Sequence, residues 1–137
     1  MQPGTTPAPR KRRPIILTPR ILSAFPTITD VTGQVLRVDE TGVVFQGRLR
    51  LREAPTANEV GRAMAILAGA VRIRTPSICS YAAKGVLERL AGGYISNGAL
   101  ILAASTLGIQ MLWIPNTLNV RFAISRKWYR SLQEAKS

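Results

Sequence analysis

Between Arg89 and Arg121 the chain has no charged side chain, although its formal net charge is +12. An uncharged block inside so basic a chain is a packed core, a membrane segment or a partner surface. Taken out to Thr75 and Ile124, the block contains its own punctuation. Gly92-Gly93, Ser96-Asn97-Gly98 and Gly108 are residues that end and cap helices. Only Gly98 to Ile114 is long enough to weigh as a membrane span, and it carries Ser105, Thr106, Gly108 and Gln110 near its middle. Short capped helices account for these residues better than one continuous span. The block is therefore expected to be a core, and no membrane partner is expected.

Three helices are expected around that core. Thr56 followed by Glu59 forms a capping box, and Val60, Ala63, Met64, Leu67 and Val71 recur at three- and four-residue spacing. Together they predict a helix over 57–70. Thr75-Pro76 repeats the start signal and predicts a helix over 76–91, with Ile78, Ala82, Val86 and Leu90 inward and Gly92-Gly93 ending it. Ser96 or Asn97 then caps a third helix through Leu107 that is apolar nearly all round. Residues 109–114 and 119–124 read as strands joined by Pro115-Asn116-Thr117-Leu118.

Upstream, Pro14, Pro19 and Pro26 allow only short elements before Asp30. From Gly33 the pattern has period two, and 34–38 with 43–52 predicts a β-hairpin turning at Asp39-Glu40-Thr41-Gly42. The expected fold is a small single α+β domain over 15–137: an N-terminal β-hairpin, a three-helix core and a C-terminal β-hairpin. Residues 1–14 read as a flexible, disordered basic arm. Helix, helix, helix, strand, strand is a winged-helix-like order. In that fold the third helix enters the major groove, yet 97–107 offers almost nothing with which to read base edges. Nucleic-acid contacts, if made, come from elsewhere.

Nineteen Lys and Arg stand against seven Asp and Glu, a balance that calls for an anionic partner. Nucleic acid is the first candidate; an anionic membrane or an acidic protein surface follows. The candidate contacts fall in four groups. Arg10, Lys11, Arg12 and Arg13 lie in the arm, where a mobile basic run gains counterion-release energy without a fold. Arg48, Arg50 and Arg52 share one face of the second hairpin strand, opposite Leu49 and Leu51. Arg72 and Arg74 lie in the connector after the first helix. Arg126, Lys127 and Arg130 surround Trp128 and Tyr129 in a short terminal helix over 125–132, where aromatics can stack on bases while cations hold phosphate. A solvated tail, an exposed strand face and a docked terminal helix account for the same residues without a partner.

The chain has no histidine, which excludes Ser-His, Cys-His and His-metal sites. Cys79 is the single cysteine, so it forms neither an internal disulfide nor a thiolate metal site, and a reducing compartment is the simpler setting. Ser80 and Lys84 lie four apart on one helix, but Lys84 reads more simply as a partner of Glu88. No phosphate-binding glycine loop is present. The chain is thus expected not to be an enzyme, with no catalytic residue, no metal, no cofactor and no small-molecule substrate.

Ser80-Tyr81-Ala82-Ala83-Lys84 through Glu88, followed by Tyr94-Ile95-Ser96-Asn97-Gly98-Ala99 and Ala103-Ala104, resembles small proteins of unknown role encoded on bacterial plasmids and other mobile elements. The resemblance covers roughly the C-terminal half. It departs where a histidine would follow the lysine, a position held here by Gly85. It implies a bacterial cytoplasmic setting and brings no activity with it. The leading expectation is largely sequence-tolerant nucleic-acid binding, DNA ahead of RNA, through arginine contacts to phosphate. The alternative is a structural or adaptor subunit that binds a protein partner, or a homo-oligomer, through its apolar C-terminal half.

Overall fold

Ser96 starts the central helix, its hydroxyl accepting from the Ala99 backbone N–H at 3.1 Å. The computed structural model of the protein describes residues 13–135. Most of the expected flexible arm, including Arg10, Lys11 and Arg12, lies outside the described residues.

In chain order the elements are α1 (Pro19–Leu22), β1 (Thr27–Thr29), β2 (Val35–Asp39), β3 (Gly42–Val44), α2 (Ala57–Leu67) and β4 (Ile78–Cys79). They continue with α3 (Ser80–Ala91), α4 (Asn97–Thr106), β5 (Met111–Trp113), β6 (Val120–Phe122) and α5 (Arg126–Glu134). The result is an α+β domain with two antiparallel three-stranded sheets, ordered β1-β2-β3 and β4-β6-β5.

α4 lies between α2, α3 and the first sheet, and Leu100, Ile101, Ala103 and Ala104 are fully buried. The uncharged block supplies the central helix of the core, and Ile28, Leu36, Val38, Val43, Ala63 and Leu67 complete that core. Among the described residues no helix is long and apolar enough to cross a membrane. The first turn of α4 rests directly on the β2–β3 turn: a Cβ at Gly98 would collide with the Asp39 carbonyl oxygen, and the Gly98 N–H donates to the Glu40 carbonyl at 3.0 Å. A Cβ at Gly42, at φ +137°, would likewise collide with the Leu118 carbonyl oxygen. The capping box of α2 forms as expected, and Glu59 also accepts from the Ser96 N–H at 3.0 Å, joining the starts of α2 and α4.

Three expectations are corrected. The second helix starts at Ser80, not at residue 76, because Ile78 and Cys79 pair with Phe122 and Arg121 and the Ser77 N–H donates to the Phe122 carbonyl. Strand pairing there outweighs the Thr75-Pro76 start signal. The inward face accordingly shifts to Ser80, Ala83 and Leu87, and Ala82 is exposed. The second hairpin strand ends at Val44, not at residue 52. Gly47, at φ +104°, turns the chain, and 45–56 is irregular. Arg48, Arg50 and Arg52 therefore do not share a strand face. β1 is a further strand on that sheet, within the region expected to hold only short elements.

Candidate nucleic-acid interface

The carboxylates are consumed first. Of the seven, Asp30, Asp39 and Glu59 are buried and fully engaged. Asp30 accepts from the backbone N–H groups of Thr32, Gln34 and Trp113. Asp39 accepts from the N–H groups of Thr41, Gly42 and Arg52 and pairs with the Arg48 guanidinium at 2.9 Å. Burial alone would push these three carboxyls up. The hydrogen bonds they accept, with the Arg48 charge at Asp39, outweigh burial and hold all three below their ordinary values.

Cations meet the opposite fate. Among the described residues Arg48 is the one buried Lys or Arg, 8% exposed, with its remaining donors on the Thr41 hydroxyl at 2.8 Å and the Val43 carbonyl. The expectation that Arg48 meets an external anion is therefore corrected: its anion is Asp39. With three of the seven carboxylates inside and, among the described residues, one cation, the exposed charge is more one-sided than the formal balance.

Backbone pairing gathers the C-terminal candidates. The Ser125 N–H donates to the Val71 carbonyl at 2.8 Å, the Ile73 N–H to the Ala123 carbonyl at 3.0 Å, and Arg72 bridges Ile124. The connector 71–74 thus lies as an extended segment beside 123–125, where α5 begins. Arg72 and Arg74 from the connector, and Arg126, Lys127 and Arg130 from α5, are brought to adjoining exposed segments. Ser125 caps α5 by accepting from the Trp128 N–H at 3.2 Å. At its other end the Arg89 guanidinium donates to the Ala135 and Gln133 carbonyls at 2.9 and 3.0 Å, where a cation also suits the helix dipole.

The two aromatics of α5 separate. Tyr129 is buried, and burial, with the nearby Cys79, pushes its phenol above the ordinary value. It is a core residue and takes no part in stacking. Trp128 is half-buried and walls an apolar cavity of about 360 Å³ with Val71, Ser125, Lys127 and Ser131.

Arg13, Arg50 and Arg52 form a separate exposed group. The Ile15 N–H donates to the Arg48 carbonyl at 2.8 Å and so lays the start of the described chain beside the 45–56 loop. The two basic groups lie at opposite ends of α4. The loop is tied through Asp39 to the turn under Gly98, and the Arg72 guanidinium lies by Gly108. Ten residues of α-helix span about 15 Å. Sequence reasoning passed over Arg121, which is exposed on β6 between buried Val120 and Phe122. Its signal was the alternation of that strand.

The residues that carry the sequence resemblance converge elsewhere. Tyr81, Lys84, Tyr94 and Asn97 line a cavity of about 260 Å³. Lys84 lies 5.0 Å from the Tyr94 ring centre and pairs with Glu88. The Asn97 amide NH₂ donates to the Thr41 and Leu118 carbonyls and to Asn119 Oδ1, while its own buried Oδ1 has no partner among the described residues. No protein-family model, curated protein or solved structure matches the chain.

Proposed function

We propose that this is a nucleic-acid-binding protein, DNA ahead of RNA, that grips phosphate with little dependence on sequence. The observation that carries the reading is the junction of 71–74 with α5, which gathers Arg72, Arg74, Arg126, Lys127 and Arg130 on a fixed, exposed region free of buried carboxylate partners. Cations held on ordered backbone lose less freedom per phosphate contact than cations on a mobile tail.

The order α2, β4, α3, α4, β5, β6, with β4 paired to β6, supports a winged-helix-like framework. Its docking differs from that of a groove-reading third helix. α4 is enclosed, and the β5–β6 turn is itself packed on β3, with the Val43 N–H donating to the Leu118 carbonyl at 3.0 Å. The junction and the 45–56 loop carry the contacts instead. The bacterial mobile-element setting belongs to the same proposal.

The test is a salt titration of binding to an arbitrary DNA duplex. Each phosphate contact removed flattens the slope of log K against log salt by about 0.9, so Arg72→Gln, Arg74→Gln, Lys127→Gln and Arg130→Gln together are expected to lower it by up to about 4. A parent chain without a salt-dependent bandshift, or a quadruple variant with the parent's affinity and slope, overturns the reading.

One observation favours a second reading, an adaptor that binds another protein. Tyr81 and Tyr94, 69% and 57% exposed, flank the cavity over Asn97, and exposed aromatics are typical anchors of protein interfaces. That reading gives a stoichiometric protein complex and little bandshift at physiological salt.

A further inference from the structure

The apolar cavity beside Trp128 does nothing for a protein that touches phosphates alone. It is bounded by Val71, Trp128, Ser125, Ser131 and the stem of Lys127, and its lining is almost wholly apolar. Val71 is 54% exposed at its mouth. The other tryptophan, Trp113, is spent in the fold: it packs against Phe45 at 5.9 Å between ring centres, and its indole N–H donates to the Thr117 carbonyl at 2.9 Å. An aromatic wall therefore stands beside Lys127, on the adjoining exposed segments that carry the other cations.

Charge complementarity selects the occupant. An acidic peptide would satisfy the cations but leave the apolar floor to an ordinary side chain, with no use for a ring wall. A DNA duplex satisfies the cations but keeps the faces of its bases stacked inside the helix. A single strand satisfies both, because each nucleotide carries a phosphate for Lys127 or Arg130 and a base free to stack. We infer that the cavity beside Trp128 accepts an unpaired base, so that the interface prefers single-stranded nucleic acid over duplex. Lys127 at the rim and Arg130 one turn further along α5 hold the flanking phosphates. This inference rests on the nucleic-acid reading above and adds the strandedness of its ligand.

The experiment uses the full chain and fluorescence anisotropy with three labelled probes: a 20-residue oligothymidylate, a 20-base-pair duplex, and an abasic strand with the same number of phosphates. The parent chain is expected to bind oligothymidylate more tightly than either other probe. Trp128→Leu keeps an apolar side chain against the core but removes the ring. It is expected to weaken oligothymidylate binding by about 10-fold or more, the usual effect of losing a base–aromatic stack. It should change binding to the duplex and the abasic strand by less than about 2-fold. Val71→Gln, at an exposed position, fills the cavity without disturbing the core and should reproduce the loss if Trp128→Leu fails to fold.

Equal affinity of the parent for all three probes, unchanged by either variant, overturns the base pocket while leaving phosphate binding intact. Binding to none of the probes overturns both proposals. A self-associated parent that Val71→Gln converts to monomer also overturns the base pocket, since the cavity then takes a second copy of the chain.

Discussion

Arg48, Arg50 and Arg52 alternate along the 45–56 loop as Arg72 and Arg74 alternate along the 71–74 connector, yet the two segments handle their charge in opposite ways. The loop turns at Gly47 and sends Arg48 inward to Asp39, so its arginines divide between the interior and solvent. The connector is held flat against 123–125 by backbone bonds, and both of its arginines remain outside. What separates them is a carboxylate within reach. Asp39 already accepts three backbone N–H groups, two from its own tight turn and one from Arg52, and a single Arg48 nitrogen completes its shell. Among the described residues no carboxylate pairs with Arg72 or Arg74. A run of cations thus states how much charge a segment has, while the turn beside it decides where the charge goes.

The comparison breaks most visibly at Asp39. Asp39→Ala leaves the Arg48 guanidinium buried without its partner and is expected to cost about 3–5 kcal/mol of stability, read from urea unfolding. Asp39→Ala with Arg48→Met is expected to recover the part of that loss due to the stranded charge, while the three backbone N–H groups that Asp39 accepted stay without it. Full stability of the single variant would mean that Arg48 escapes to solvent and the two segments are alike after all.

Acid sharpens the same contrast. Asp30, Asp39 and Glu59 are held below their ordinary values in the folded chain, so the unfolded chain takes up protons first. Their contribution to stability is complete above the unfolded carboxylate range, near pH 4, and is lost as pH falls through the lower folded values. The urea midpoint is expected to stay level from about pH 8 to 5 and then fall below about pH 4. Asp39→Asn should flatten that fall. A midpoint that declines steadily from neutral pH would place the sensitivity elsewhere.

The smallest effect is expected on the surface of the loop. Arg50→Gln with Arg52→Gln should lower the salt slope of duplex binding by up to about 2 while shifting stability by no more than about 0.5 kcal/mol. A drop as large as that of the four C-terminal substitutions would make the loop, not the junction, the principal grip.

What was legible in the sequence was local. Thr56 with Glu59, Ser96, Gly92 and Gly108 set helix ends within a few residues of themselves, and the turn at Pro115 to Leu118 joins neighbouring strands. What was hidden depended on partners far along the chain. β4 exists because Ile78 meets Phe122, and without that partner Thr75-Pro76 reads equally well as a helix start. The inward course of Arg48 needs the positive φ of Gly47, and the strand pattern of 43–52 gave no warning of it. Arg89 shows no sign in sequence of capping a helix more than forty residues later. Of the candidate interface, the residue types were visible. Their assembly was not, because it rests on the Val71–Ser125 and Ile73–Ala123 bonds.

Gly98 has a consequence for how the molecule can be divided. Because α4 meets the β2–β3 turn backbone to backbone, the N-terminal sheet is the third wall around α4, beside α2 and α3, and not an ornament on a helical module. A chain begun after the 45–56 loop would open Asn97, Gly98 and the flank of α4 to water. The C-terminal junction would lose its footing too, since Arg72 leans on the far end of that same helix. The domain has no dispensable half, because a contact between two stretches of bare main chain joins its N-terminal sheet to the helix that the rest packs around.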